Sequence, residues 1–125
     1  MSADINQLSA AIKPMCQVLV DQFNRLYDDV VMRVTFTYRS PELQDQLKKA
    51  GRTTLSGEQS KHCHTLEDGT PAADAFDVAI FKGGEYLTDG TNQLYKAAGL
   101  LAETLGLTWG GRFVHPRPDY DHFEI

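Results

Sequence analysis

An α+β fold is predicted by three features of this sequence. Apolar residues recur at helical spacing in two stretches, one near each end of the chain. Short runs of strand character lie between and after them. The two kinds of element do not alternate regularly, as a doubly wound parallel sheet would require. With 125 residues the chain is expected to form one domain, residues 1–125, around a single core.

The elements follow in order. Ile5, Leu8, Ile12, Met15, Leu19, Phe23 and Leu26 step by three and four, the signature of one helix face. Pro14 interrupts them, so either a kink or a second helix beginning near the proline is expected. From Val31 to Thr37 the pattern has period two, with Met32, Val34 and Phe36 on one face of a half-buried strand. Ser40-Pro41 supplies an N-cap and a first-turn proline for a short helix over Glu42 to Ala50, closed by Gly51. Residues 52–60 are polar and loop-like. Ala75 to Phe81 reads as a mostly apolar strand ended by Gly83-Gly84. Leu94, Ala97, Leu100, Leu101 and Leu105 mark a third helix, stopped by Gly106. Leu107 to Trp109 is a brief strand, Gly110-Gly111 a turn, and Tyr120 to Ile125 a final strand.

Composition narrows the function classes. A net charge of −5 and a pI near 5.2 argue against nucleic acid, whose binders need a basic face. Two cysteines, Cys16 and Cys63, are too few for a disulfide framework. No apolar stretch approaches the length of a membrane span, so no membrane insertion is expected. The opening Met-Ser-Ala-Asp-Ile-Asn has no basic region followed by an apolar one. Synthesis in the cytoplasm without a signal peptide is therefore expected.

Chemistry-bearing residues gather in two clusters. The first is Ser60-Lys61-His62-Cys63-His64, followed after a turn by Asp77 within Ala-Phe-Asp-Val-Ala-Ile-Phe. The second is the tail, Asp119-Tyr-Asp-His122-Phe-Glu-Ile125. Together they offer the inventory of a mononuclear zinc hydrolase: imidazoles, a carboxylate and a base for bound water. If extended, His62 and His64 project to one face and could share a metal ion; equally, histidines in a polar loop are ordinary surface residues. A carboxylate inside an apolar strand is costly to bury unless it is paired or bound to metal, so Asp77 is either a ligand or a structural residue that caps a loop or pairs with an arginine. Asp119 lies three residues before His122 and could serve as general base beside a His122-bound ion. Asp121 is expected to point away from His122 to the surface, as is Asp74 before its strand. Asp68-Gly69 reads as a turn. Arg39, at a strand end, could stabilise an oxyanion, hold a substrate carboxylate, or form a surface salt bridge.

In order, Tyr38-Arg39-Ser40, Ser60-x-His62, Ala75-x-Asp77, Trp109-Gly110-Gly111 and Asp119-x-x-His122-Phe-Glu124 resemble the D-alanyl-D-alanine carboxypeptidase-like zinc peptidases. The likeness is greatest to their phage endolysin branch, the L-alanyl-D-glutamate endopeptidases, and covers roughly residues 30–125. The resemblance implies the Hedgehog/DD-peptidase fold, a small, mostly antiparallel sheet with flanking helices. It implies Zn2+ held by His62, Asp77 and His122, with Asp119 as base and Arg39 as an electrostatic aid. The implied reaction is hydrolysis of a stem-peptide bond of bacterial cell-wall peptidoglycan by zinc-bound water. The fifteen residues from His62 to Asp77 exceed the family's usual spacing. The excess falls at Thr65 to Ala72, which has turn composition, and leaves His64 in competition with His62, although Ser-x-His favours His62. Thr37 stands where the family often has glycine.

Three functions are therefore expected to compete: an endolysin-like L-alanyl-D-glutamate endopeptidase first, then a D-Ala-D-Ala carboxypeptidase or dipeptidase, then a non-catalytic zinc-stabilised binding domain. The first implies a monomer that reaches the wall after release in phage or prophage lysis.

Overall fold

Residues 2–125 are described by the computed structural model. Its strands are β1 (Val30–Phe36), β2 (Ala75–Lys82), β3 (Glu85–Tyr86), β4 (Thr108–Trp109) and β5 (His122–Glu124). They form one antiparallel sheet in the order β1-β2-β5-β4, with β3 also pairing with β2. The helices are α1 (Lys13–Leu26), α2 (Pro41–Lys49) and α3 (Gln93–Thr104). The α+β fold class is as expected.

Pro14 decides how the first apolar run divides. It occupies the first turn of α1, where its missing N–H would have had no partner in any case. Ile5 belongs to a separate 3-10 turn, and Leu8 bridges in parallel to Ala73. Of the two expected arrangements, the chain adopts the second. α2 begins as the sequence indicates: the Ser40 hydroxyl accepts from the Leu43 N–H and Pro41 sits in the first turn.

The core lies between one sheet face and the two long helices. Cys16, Leu19 and Phe23 from α1 and Tyr95, Ala98 and Ala102 from α3 meet Met32, Phe76, Val78, Ile80 and Phe123. Burying each larger apolar side chain stabilises the fold by roughly 1.5–3 kcal/mol. The third helix departs from its expected face. Leu100 is exposed, and Leu94, Ala97, Leu101 and Leu105 flank the seam that the smaller residues centre. The close approach of Trp109 explains this, because a Cβ on Gly99 would come within 2.1 Å of the indole.

β2 is the central strand, buried from Ala75 to Ile80. Phe76, Val78 and Ile80 join the core, so alternation directs Asp77 to the opposite face between Ala75 and Ala79. Asp77 pairs in register with Phe36 on one side and His122 on the other. A register shift between Val34 and Phe36 brings the end of β1 level with Asp77, a common use of a bulge beside a site. The Thr65 to Ala72 excess folds back on itself: Thr65 bridges to Pro71 and the Ala72 N–H donates to the His64 carbonyl at 2.9 Å. It is a looped-out hairpin, and residues on either side of it stay close.

Candidate active site

Asp77, held in the middle of the sheet, gathers the two expected clusters. Its Oδ1 lies 3.3 Å from His62 Nε2 and 3.0 Å from His122 Nδ1. One ligand-capable atom from each of the three residues lies within 4.8 Å of the other two. All three side chains are buried.

The far nitrogen of each ring is engaged as well. His62 Nδ1 lies 2.7 Å from the Thr37 carbonyl. A carbonyl can only accept, so Nδ1 carries the proton and Nε2 turns a lone pair toward Asp77. His122 Nε2 lies 2.8 Å from Glu124 Oε1, and Glu124 Oε2 in turn pairs with Lys61 Nζ at 2.8 Å. Lys61 Nζ also donates to the Ile125 carbonyl. Two imidazoles and a carboxylate, converging with each ring backed by an acceptor, match the donor set and outer shell of a protein metal site.

The electrostatics follow from this crowding. Burial alone would raise the Asp77 pKa, but the hydrogen bond from His122 and the His62 ring packed beside it outweigh burial and hold the carboxyl well below its usual range. Burial opposes the charged form of His122, yet hydrogen bonds to Asp77 and Glu124 push that imidazole up to about 10. Burial likewise opposes the charged form of Glu124, but its bonds to His122 and Lys61 bring it down to about 2.

His62 and His64 do not share a face. Residues 61–63 form a 3-10 turn rather than the extended strand that shared projection needs, with the Ser60 hydroxyl accepting from the His62 N–H. His62 turns inward; His64 turns away to Asp74, 2.7 Å from its carboxylate, which also accepts from the Ser9 hydroxyl. Asp74 is therefore tied down rather than solvated. Cys63 is buried but lies outside the His62–Asp77–His122 group.

Asp119 is exposed at the lip of the site. Its N–H donates to the Gly110 carbonyl at 2.8 Å, and its own carbonyl accepts from the His122 N–H at 3.3 Å. Asp121 is not the surface residue expected. Residues 120–121 form a turn, so strand alternation begins only at His122. The Asp121 carboxylate consequently meets those of Asp77 and Asp119 within 4.8 Å. Burial, a hydrogen bond with Asp119 and the nearby Asp77 charge push it up to about 8.

Arg39 enters from the end of β1. Its Nη2 stands 3.9 Å from Asp77 Oδ2, and its backbone N–H donates to the His62 carbonyl at 2.9 Å. These residues form the floor of a cleft of about 530 Å3 whose walls include Arg52, Leu55, Phe113 and Arg117.

Sequence reasoning gave no role to Glu124 or Gln44. Glu124 could have been found, because it lies two residues from His122 on one strand and must share its face. Gln44 carried no such sign, since a glutamine on a short polar helix reads as surface.

A model of the D-alanyl-D-alanine carboxypeptidase family matches residues 54–125. The chain belongs to that family. The matched region holds His62, Asp77, Asp119 and His122, while Arg39 and α2 lie before it. Among solved structures, the chain is similar to the Serratia marcescens L-Ala D-Glu endopeptidase ChiX, with a TM-score of 0.73 and 16% identity over 97% of this chain and 82% of that one. At that identity the likeness shows a shared fold. No curated protein sequence matches. The family is one of peptidases, and the protein is a peptidase with a buried His-Asp-His group able to hold a metal ion.

Proposed function

We propose that the protein is a zinc-dependent peptidoglycan endopeptidase that cuts the L-alanyl–D-glutamate bond of the stem peptide, with residues 1–125 acting as one catalytic domain. The observation that carries this reading is the convergence of His62 Nε2, His122 Nδ1 and the Asp77 carboxylate. The choice of bond follows the activity named for the ChiX endopeptidase, which shares the fold. The cleft adds support: Arg39, Arg52, Lys61 and Arg117 line it on a chain of net charge −5. Against Asp77, Asp119 and Glu124 in the same lining, these cations leave the cleft less negative than the acidic chain as a whole, so an acidic stem peptide meets little repulsion there.

His62, Asp77 and His122 would hold the zinc, and the Thr37 carbonyl and Glu124 would fix the rings. When bound, zinc supplies a Lewis acid and lowers the pKa of a coordinated water to about 7. Asp119, at the lip, takes the proton from the attacking water and delivers it to the leaving amine. Arg39, mostly buried beside Asp77, directs positive charge at the oxygen on which negative charge develops. Action on the wall follows release in phage or prophage lysis, as a monomer.

A second reading, D-Ala-D-Ala carboxypeptidase, is favoured by the description of the matching family. Digestion of purified peptidoglycan, with mass spectrometry of the products, separates the two. New amino-terminal glutamate on the stem peptide supports the endopeptidase; free D-alanine without such ends overturns it.

A further inference from the structure

Gln44 is 1% exposed although it lies on α2, an otherwise polar helix. Both ends of its amide are used. Its Oε1 accepts from Arg39 Nη1 at 2.8 Å, and its Nε2 donates to the Leu55 carbonyl at 2.9 Å and lies 3.5 Å from the Thr53 hydroxyl. One amide thus joins Arg39 to residues 53–55 of the cleft wall.

The Arg39 guanidinium is otherwise held loosely. Nη2 at 3.9 Å from Asp77 Oδ2 is beyond hydrogen-bonding distance. Nε is buried and has no partner among the described residues. The guanidinium carbon stands 5.7 Å from the Phe36 ring centroid, and 12% of the side chain is exposed. Coulomb attraction between two largely buried groups draws the guanidinium onto Asp77. A closed fork there would occupy the donors needed for substrate. The acceptor of Gln44, pulling on the other amino group, opposes that collapse. Being neutral, it does so without quenching the positive charge.

We propose that Gln44 is a positioning residue: its carbonyl oxygen holds Arg39 away from Asp77 and aims the guanidinium into the cleft. The inference rests on the role given to Arg39 under Proposed function.

Two substitutions separate positioning from mere support of the wall. Gln44→Glu keeps the acceptor for Arg39 but removes the donor to Leu55; Gln44→Met removes both in a side chain of similar shape. On the zinc-loaded protein with a soluble stem peptide, Gln44→Met is expected to lower kcat about 10- to 100-fold with KM within about threefold, since small misplacements of reacting groups carry losses of this order. Gln44→Glu, which still holds the guanidinium but partly offsets its charge, is expected to lose less than about tenfold in kcat and to stay above Gln44→Met. Equal loss in both variants would overturn the proposal, because only the tether to Leu55 is lost in common. In an Arg39→Ala background, Gln44→Met is expected to add no further loss; multiplying effects would also overturn it. If Arg39→Ala alone left kcat unchanged, the role of Arg39 itself would fail. Nitrogen NMR of the guanidinium needs no turnover. Distinct, slowly exchanging Arg39 Nη signals are expected in the parent and Gln44→Glu and a merged signal in Gln44→Met. Distinct signals in Gln44→Met, or merged signals in Gln44→Glu or in the parent, would contradict positioning. Should Gln44→Met not fold, Gln44→Asn, one methylene too short to reach both partners, takes its place with the same expectations.

Discussion

The carbonyl of Thr37 accepts the Nδ1 proton of His62 at 2.7 Å, and that bond fixes which nitrogen of the ring faces Asp77. Thr37 is itself fully buried and anchored, its N–H donating to the Ser2 carbonyl at 2.8 Å and its hydroxyl to the Asp4 carbonyl at 2.8 Å. Thr37 is thus part of the support of the site.

Zinc content should follow the geometry rather than the spacing of the histidines. His62→Ala, Asp77→Ala and His122→Ala are each expected to lose stoichiometric zinc, and His64→Ala to retain it, as measured by metal analysis after dialysis. Retention by His62→Ala with loss by His64→Ala would reverse the ligand assignment.

Removing the base should leave the metal in place. Asp119→Ala is expected to bind zinc like the parent while kcat falls by about 10²- to 10⁴-fold, the usual contribution of general base catalysis. Undiminished wall lysis by this variant would instead favour a non-catalytic binding domain.

Glu124 orients His122 from behind and is itself paired with Lys61. Loss of such an outer partner weakens metal binding by about 10- to 100-fold. The Glu124→Gln variant should show that drop in a competition titration with a chromophoric chelator, with the fold intact by circular dichroism. An unchanged affinity would show that the His122 ring is held by packing alone.

Stability of the metal-free protein should depend on pH on both flanks. The His122 imidazole, pushed up to about 10, stabilises the fold fully below its unfolded pKa of about 6.5 and loses that contribution as pH rises through 10. Glu124, brought down to about 2, contributes above its unfolded pKa of about 4.3 and ceases to do so as pH falls through 2. Asp121, pushed up to about 8, subtracts stability as pH climbs from its unfolded pKa of about 3.9 through 8. Urea melts in excess chelator are therefore expected to show greatest stability at about pH 4 to 5 and a decline from there to pH 10. Zinc must displace the His122 proton, so its affinity should increase with pH. A stability that keeps rising from pH 7 to 10 in chelator would contradict the ring's double engagement.

Gly110 allows Asp119 and His122 to come close. A Cβ there would stand 2.2 Å from the Asp119 carbonyl oxygen and 3.1 Å from His122 Cβ. Gly110→Ala is expected to destabilise the protein by about 1–3 kcal/mol through overpacking and to reduce activity by displacing both residues. Parent-like melting and turnover would mean that the backbone relaxes freely here.

The sequence by itself determined what is local. Ser40-Pro41 carries its own cap and first-turn proline, the Ala75 to Phe81 run its own burial, and His122 to Ile125 its own strand character. Each depends on neighbours within a few residues, so α2, β2 and the tail are readable in order. Tertiary structure decided what required distant segments to meet. His62 prevails over His64 because a 3-10 turn points one ring at Thr37 and Asp77 and the other at Asp74, contacts spanning 25, 15 and 10 residues. Asp121 is drawn in because the turn before β5 cancels the alternation that would have exposed it. Gln44 is buried because Arg39 and Leu55 close around it from opposite sides. Hydrogen-bond partners for buried polar groups are set by packing, and spacing along the chain does not record them.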